Sequence, residues 1–300
     1  MPYRTLPVVI RSNGRRALVA AFGLLLSTGG LALNPQPGRA HAAGIVVTSL
    51  ADTLTADGQC TLREALANAQ ADSAVHADCA GGAGFDVVTF SLSGVIALAS
   101  PLPQLDSTGG AITIDGVGQA VTVDGGGAVV NLHGAQMVVT GSSFTANTAL
   151  LAGGTVLNGA GVRLGAAALL HVSNSTFNGN TAGQDPVPWG NGGALVNQGT
   201  GTFSATTFES NHASQDGGTI YNRWPLTITN STLRGNTALD SGAGLKNNGG
   251  AVVVIGSTFT ANDGRGEGGG GLSQDGGSLT MATAPYRATW RGHPAKAVGC

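Results

Sequence analysis

The sequence predicts an all-β chain wound as a parallel β-helix and closed at its start by a short capping α-helix. Three observations predict it. Two phrases alternate down the chain, short β-prone stretches separate Gly- and Asn-rich turns, and charge is scarce. The first phrase reads GSSFTANTA around Phe144, NSTFNGNTA around Phe177, ATTFESNHA around Phe208, NSTLRGNTA around Leu233 and GSTFTAND around Phe259. The second reads GAGV at Gly159–Val162, GGAL at Gly192–Leu195, GGTI at Gly217–Ile220, GAGL at Gly242–Leu245 and GGGL at Gly269–Leu272. Alternating phrases at a regular spacing mark a repeat architecture.

Residues 1–42 read as a targeting segment. Arg4, Arg11, Arg15 and Arg16 precede an apolar run, Ala17–Leu33, and Ala40-His41-Ala42 is a small-x-small site for cleavage before Ala43. The Gly and Ser within the run, and the Pro after it, argue against a membrane span. The mature chain is expected to lie outside the cytoplasm, at the cell surface or beyond it.

Residues 43–90 differ from the repeats. Cys60-Thr-Leu-Arg-Glu-Ala-Leu66 opens a helix, with Thr61 and Glu64 as a capping box. Leu62, Ala65, Leu66 and Ala69 make one face of it apolar. A solenoid's open end would expose its apolar interior, so terminal units are commonly atypical caps. The helix is expected to cover the first coil. Cys60 and Cys79 flank it. In an oxidising compartment they are expected to form a disulfide; the alternative, a reactive thiol or metal site, has only His76 nearby.

Residues 91–281 carry the coils. The anchors Phe144, Phe177, Phe208, Leu233 and Phe259 are 33, 31, 25 and 26 residues apart. Stretches such as Leu226–Thr229 and Val252–Ile255 read as strands of three to five residues, with Gly, Asn and Asp in the turns. No repeat has room for a crossover helix. One turn of chain per repeat, stacked roughly 4.8 Å apart, satisfies all of this. About seven or eight coils would make a rod on the order of 35–40 Å long. The five anchors then form an internal apolar stack. Asn147, Asn180, Asn211, Asn236 and Asn262, each three residues on, form an amide ladder. The hydroxyl pairs before the anchors form a third row, and the glycine pairs suit corners. The Asn-Ser-Thr sequons at Asn174 and Asn230 read as ladder residues. Only 10% of the chain is charged, which suits residues stacked on copies of themselves, since stacked like charges repel.

Chemical candidates are few. Gly81–Thr89 fits the calcium nonapeptide GGxGxDxUx, which would put Asp86 on a metal, yet such sites form between successive copies and there is one here. Asp115 and Asp124 each end an alternating strand before glycine. They would serve as catalytic acid and base, or hold calcium, or act as turn residues bonding their own backbone. Basic residues between Gly44 and Met281 come singly, so neither nucleic acid nor a uronate polymer finds a cationic cluster. His76, His133, His171 and His212 are scattered. No cofactor motif is present. Trp189 and Trp224 sit in irregular insertions, where they would either stack on sugar rings or cover the coil edge.

CTLREAL at Cys60–Leu66, then Cys79, then Phe85–Phe90, resembles the opening of CSLREA-domain bacterial proteins. The paired phrases resemble those of polymorphic outer-membrane proteins. The first resemblance covers about Ile45 to Val130 and the second Gly141 to Leu272. The first implies an exported right-handed parallel β-helix, of the pectin-lyase type, and the second a β-helical, surface-exposed body. They imply an adhesin-like scaffold that meets polysaccharide or other cell-surface polymers, with a lyase or glycoside hydrolase on the same fold as the alternative.

Residues 282–300 break the pattern. Ser278–Met281 should lead into another S-T-F/L-x-x-N phrase, but Ala282-Thr-Ala-Pro-Tyr-Arg-Ala-Thr-Trp-Arg291 follows. With one A restored after the Met281 codon, the degenerate code permits Ser-Asn-Ser-Thr-Leu-Ser-Gly-Asn. The tail is therefore expected to be the product of a one-base loss, which the gene sequence decides.

Overall fold

A computed structural model describes residues 43–282, apart from 107, 109, 126–128, 132–134, 150–155, 159–167, 184–188 and 267. All belong to the compact unit Arg39–Cys300. The expected targeting segment, its Ala42 end, the Gly159–Val162 phrase and the tail 283–300 lie outside the described residues.

The described residues form a parallel β-solenoid of four faces. In one coil, Leu226–Thr229 lies on the first face, Thr232–Arg234 on the second and Thr237–Ala238 on the third. The strand Leu245–Ile255 begins on the fourth face, against Ile220–Asn222, and ends on the first, against Leu226–Thr229. The second face is a seven-stranded sheet and the third a five-stranded one. The first and fourth merge into a 14-stranded sheet through that continuous strand. At 11 residues, Leu245–Ile255 and Leu272–Ala282 exceed the expected three to five. The glycines at Gly249 and Gly250 carry the former round the corner, whereas the preceding coil breaks at Pro225, which has no N–H to pair.

Register puts like over like. Phe144, Phe177, Phe208, Leu233 and Phe259 are direct cross-strand neighbours, and Ile96 and Val123 extend the row toward the cap. The rings of Phe144 and Phe177 stack with centroids 5.1 Å apart, those of Phe177 and Phe208 at 5.0 Å. Phe203, from the first face, meets Phe208 edge-on. Such offset contacts add to the burial each ring already contributes.

The amide ladder is continuous. Asn147 Nδ2 donates to Asn180 Oδ1 at 2.9 Å, Asn180 to Asn211 at 2.8 Å, Asn211 to Asn236 at 3.0 Å and Asn236 to Asn262 at 2.8 Å. Each backbone N–H in the row donates to the same oxygen of the next member. The second Nδ2 hydrogen reaches a carbonyl of the preceding coil, as from Asn211 to Phe177 O. A mid-row asparagine thus uses both donors and both lone pairs, which is what full burial of an amide demands.

Both members of each hydroxyl pair stack: the second members Ser143, Thr176, Thr207, Thr232 and Thr258 pair directly in register, and the first form a buried row beside them. Ser142, Ser175, Thr206, Ser231 and Ser257 are buried, and each donates to the carbonyl two residues earlier. The residue before each of these turns the corner with positive φ: Gly141, Asn174, Ala205, Asn230 and Gly256. This corrects the reading of Asn174 and Asn230 as ladder residues. Both are exposed, at φ 49° and 48°. Asparagine stands there because, after glycine, it enters the left-handed region most readily.

A second asparagine row, unread in the sequence, lines the fourth face. Asn197 Nδ2 donates to Asn222 Oδ1 at 2.7 Å, and Asn222 to Asn247 at 2.9 Å. Asn131 and Asn158 precede them in register. Glycines of the second phrase turn the chain into this face. Gly217 has φ +66°, and a Cβ on Gly218 would sit 2.3 Å from Thr237 O. The first needs the conformation and the second the close approach.

The helix Leu62–Ala71 has its capping box, with Glu64 Nα donating to Thr61 Oγ1 and Thr61 N donating to Glu64 Oε2. Leu62, Ala65, Leu66 and Ala69 pack on Ile45, Val47 and Val88 of the first coils. Cys60 and Cys79 are disulfide-bonded, with Cα atoms 4.8 Å apart. Buried Asn68 gathers the following loop by donating to His76 O and Ala80 O.

Arg63 pins the cap to the coil. It bonds both carboxylate oxygens of Asp52, at 2.7 and 2.9 Å, and the carbonyls of Ser100 and Pro101. Burial alone would push the Asp52 carboxyl up, but Arg63 and the amides of Ala99 and Ser100 together hold it below its ordinary 3.8. A depressed carboxylate stabilises the fold above its unfolded pKa, and that stabilisation fades as pH falls through the lower, folded value. Asp52→Asn should therefore be less stable than the parent at neutral pH, by about 2 kcal/mol. The gap should be full above about pH 4 and narrow as pH falls further, through the lowered folded value. Urea midpoints of both proteins across that range check it.

Ile255 pairs with Ala282. A further coil in that register needs a left-handed corner residue at position 283, a hydroxyl at 284, an apolar anchor at 286 and Asn at 289. The chain has Thr283, Ala284, Tyr286 and Thr289 there; the shifted frame considered above would permit Asn, Ser, Leu and Asn.

Candidate functional site

The fourth face carries the densest outward chemistry. Its strands Leu195–Asn197, Ile220–Asn222 and the start of Leu245–Ile255 bury their first residue in the core and their third in the asparagine row. The middle positions Val196, Tyr221, Lys246 and Ser273 stack in register. Along this row the face turns from apolar to polar.

Lys246 is only 5% exposed. Its Nζ donates to Ser241 Oγ at 2.7 Å and Ser273 Oγ at 3.2 Å, and it pairs with Asp275 at 2.7 Å and Asp216 at 3.9 Å. Ser241 Oγ donates to Asp216 Oδ1 at 2.6 Å. Oxygens from three successive coils thus surround one ammonium, as a buried charge requires. The cluster fastens coils together.

Beside it, Tyr221 Oη accepts from Asn248 Nδ2 at 2.6 Å and from Arg223 at 3.2 Å, while the Arg223 guanidinium lies 5.4 Å from the ring centroid. Trp224 follows, 50% exposed, and Trp189 is 65% exposed. Trp189 precedes the strand Leu195–Asn197, and Trp224 follows the strand Ile220–Asn222 one coil later. Along the chain, one exposed indole thus precedes a strand of this face and another follows the next.

The two acid candidates are not brought onto one sheet. Asp115 ends a first-face strand and accepts from Val117 N at 2.9 Å, a turn residue bonding its own backbone. Asp124 ends a second-face strand, beside Ala97 and Thr145. Asp86 opens its strand 1% exposed, and its Oδ1 accepts from Ala83 N and Ala43 N. Among the described residues no three His, Cys, Asp or Glu side chains gather as a metal site. His171 is exposed, and His212 shares a hydrogen with Thr237 Oγ1. Burial, with Arg265 adding, pushes His212 below its ordinary value.

The Lys246 cluster and the second asparagine row were the features the sequence reading missed. The row had a signal: Asn stands two residues after the apolar residue of GGAL, GGTI and GAGL, at intervals of 25. Lys246 had none beyond being the lone lysine among the repeats.

Fold and faces together define a parallel β-solenoid protein with aromatic-edged, stacked surfaces. No family model matches the chain, and no curated protein matches it. Among the described residues no helix is long and apolar enough to cross a membrane.

Proposed function

We propose that this protein is an exported, non-catalytic β-solenoid scaffold, adhesin-like, which meets polysaccharide or other polymers at the cell surface or after secretion. The observation that carries the reading is the pair of exposed indoles, Trp189 and Trp224, which in the chain precede and follow strands of a face whose polar groups already partner one another. An indole offers a large apolar plane with a polar edge, suited to a sugar ring. The CSLREA-like opening at Cys60–Leu66 and the alternating phrases favour export and a surface role. Fold alone carries no function.

A glycan array of neutral and acidic polysaccharides, read with a uronate-release assay, tests it. Binding should appear without release, and Trp189→Ala with Trp224→Ala should weaken it at least tenfold, since two stacked sugars are worth about 1–3 kcal/mol each by analogy with bases on aromatic platforms. Uronate release lost in Asp115→Asn or Asp124→Asn would instead establish a lyase or hydrolase.

A further inference from the structure

Asp86 is the least comfortable group in the described chain. Its carboxylate is 1% exposed, and its Oδ2 has no hydrogen-bond partner. A Cβ on Gly82 would lie 2.8 Å from that oxygen, so backbone closes that side. Among the described residues no cation pairs with Asp86. Burial pushes its carboxyl up, the amides of Ala83 and Ala43 resist, and nearby Asp72 adds to the rise. A buried, unpaired carboxylate is costly to keep.

The group 3.2 Å from its other oxygen is the backbone nitrogen of Ala43. Ala43 is held in place, because its carbonyl accepts from Val87 N at 2.9 Å and the next residue, Gly44, pairs with Val87 in a parallel ladder. It is also the residue that follows Ala40-His41-Ala42, where the sequence places a cleavage site.

We propose that removal of the leader completes this site: the new α-ammonium of Ala43 becomes the buried ion-pair partner of Asp86. A leader peptidase adds water across the Ala42–Ala43 bond, leaving a carboxylate on Ala42 and a protonated amine on Ala43. One amide N–H beside Asp86 is thereby replaced by three N–H donors and a full positive charge. The unpartnered Oδ2 belongs to the same carboxylate and is the acceptor for them. The uncut chain carries an uncompensated buried charge at its first coil; the cut chain does not. Maturation then tightens the cap end only once the leader has gone, keeping the precursor looser. The inference rests on the export reading and deepens it.

The test uses the full chain with residues 37–42 replaced by a six-residue site for a sequence-specific protease that cuts immediately before Ala43. Urea midpoints are compared before and after cutting. Cutting should raise the midpoint by about 1 M. In Asp86→Asn the uncut chain should be at least as stable as the uncut parent, and cutting should bring no gain. As a second measure, the α-amine of the cut parent should acetylate at least tenfold more slowly when folded than in Asp86→Asn. Equal midpoints before and after cutting, or an equal gain in Asp86→Asn, would overturn the pairing. So would a rise in the uncut parent on adding calcium that matches the rise from cutting. N-terminal sequencing of the exported native protein separates the two ideas. A start other than Ala43 overturns both the cleavage site and this proposal. A start at Ala43 without the midpoint gain leaves export standing and removes the ion pair.

Discussion

Asn211→Ala is expected to destabilise the protein by about 4 kcal/mol or more, as much as losing a large core ring. The side chain sits mid-row and is 0% exposed. Its oxygen accepts from Asn180 N and Asn180 Nδ2, and its nitrogen donates to Asn236 Oδ1 and Phe177 O. Truncation strands groups on both neighbouring coils, each costing about 1–3 kcal/mol when left dry, less what relaxation recovers. Asn262→Ala should cost about half as much, because Asn262 lies at the row's far end and is 5% exposed. Asn211→Asp should be worse than either at neutral pH. Its carboxylate cannot donate to Asn236 Oδ1 or Phe177 O, and it would be a charge without a counterion. Urea unfolding of the three variants orders them, and equal losses at positions 211 and 262 would show that the row is not a cooperative ladder.

Phe177→Ala is expected to cost about 3–5 kcal/mol. The ring is buried between Phe144 and Phe208, with centroids 5.1 and 5.0 Å away. Coils held at the strand spacing cannot collapse into the void, so most of the cavity should persist. Phe177→Leu should cost only about 1–1.5 kcal/mol, because Leu233 already occupies the equivalent place between Phe208 and Phe259. Truncating Phe144 together with Phe177 should lose less than the two single losses added, since the second change removes a contact the first has already broken. Denaturation midpoints of Phe177→Ala, Phe177→Leu, Phe144→Ala and the double variant measure this.

Much of the fold was legible because register and sequence share a period. Phe144, Phe177, Phe208, Leu233 and Phe259 recur at intervals that differ by up to eight residues, and still pair directly. Surplus residues go into turns and leave the strands in step. The asparagine row was readable for the same reason. The roles of Asn174 and Asn230 were not, since a corner residue and a ladder residue can both be asparagine; only backbone φ separates them. The surroundings of Lys246 come from three coils. Ser241 is five residues away in sequence, but Ser273 is 27 away, and a phrase-by-phrase reading does not join them. Asp86 was visible only as a motif letter. Its burial and its neighbour Ala43 come from chain 43 residues away in sequence folding back.

From Asn147 to Asn236, each amide of the Phe-anchored row sends its ladder N–H the same way, from the earlier coil to the later. The shorter fourth-face row follows suit. Aligned dipoles add, as they do in an α-helix, so the core is electrically polarised along its length. At the start of the column, Asn147 Oδ1 is left as an unmatched acceptor. Its two termini are chemically opposite, oxygen first and nitrogen last. Mirror-like joining of two such columns would set acceptor against acceptor or donor against donor; only same-sense addition continues the current of hydrogen bonds.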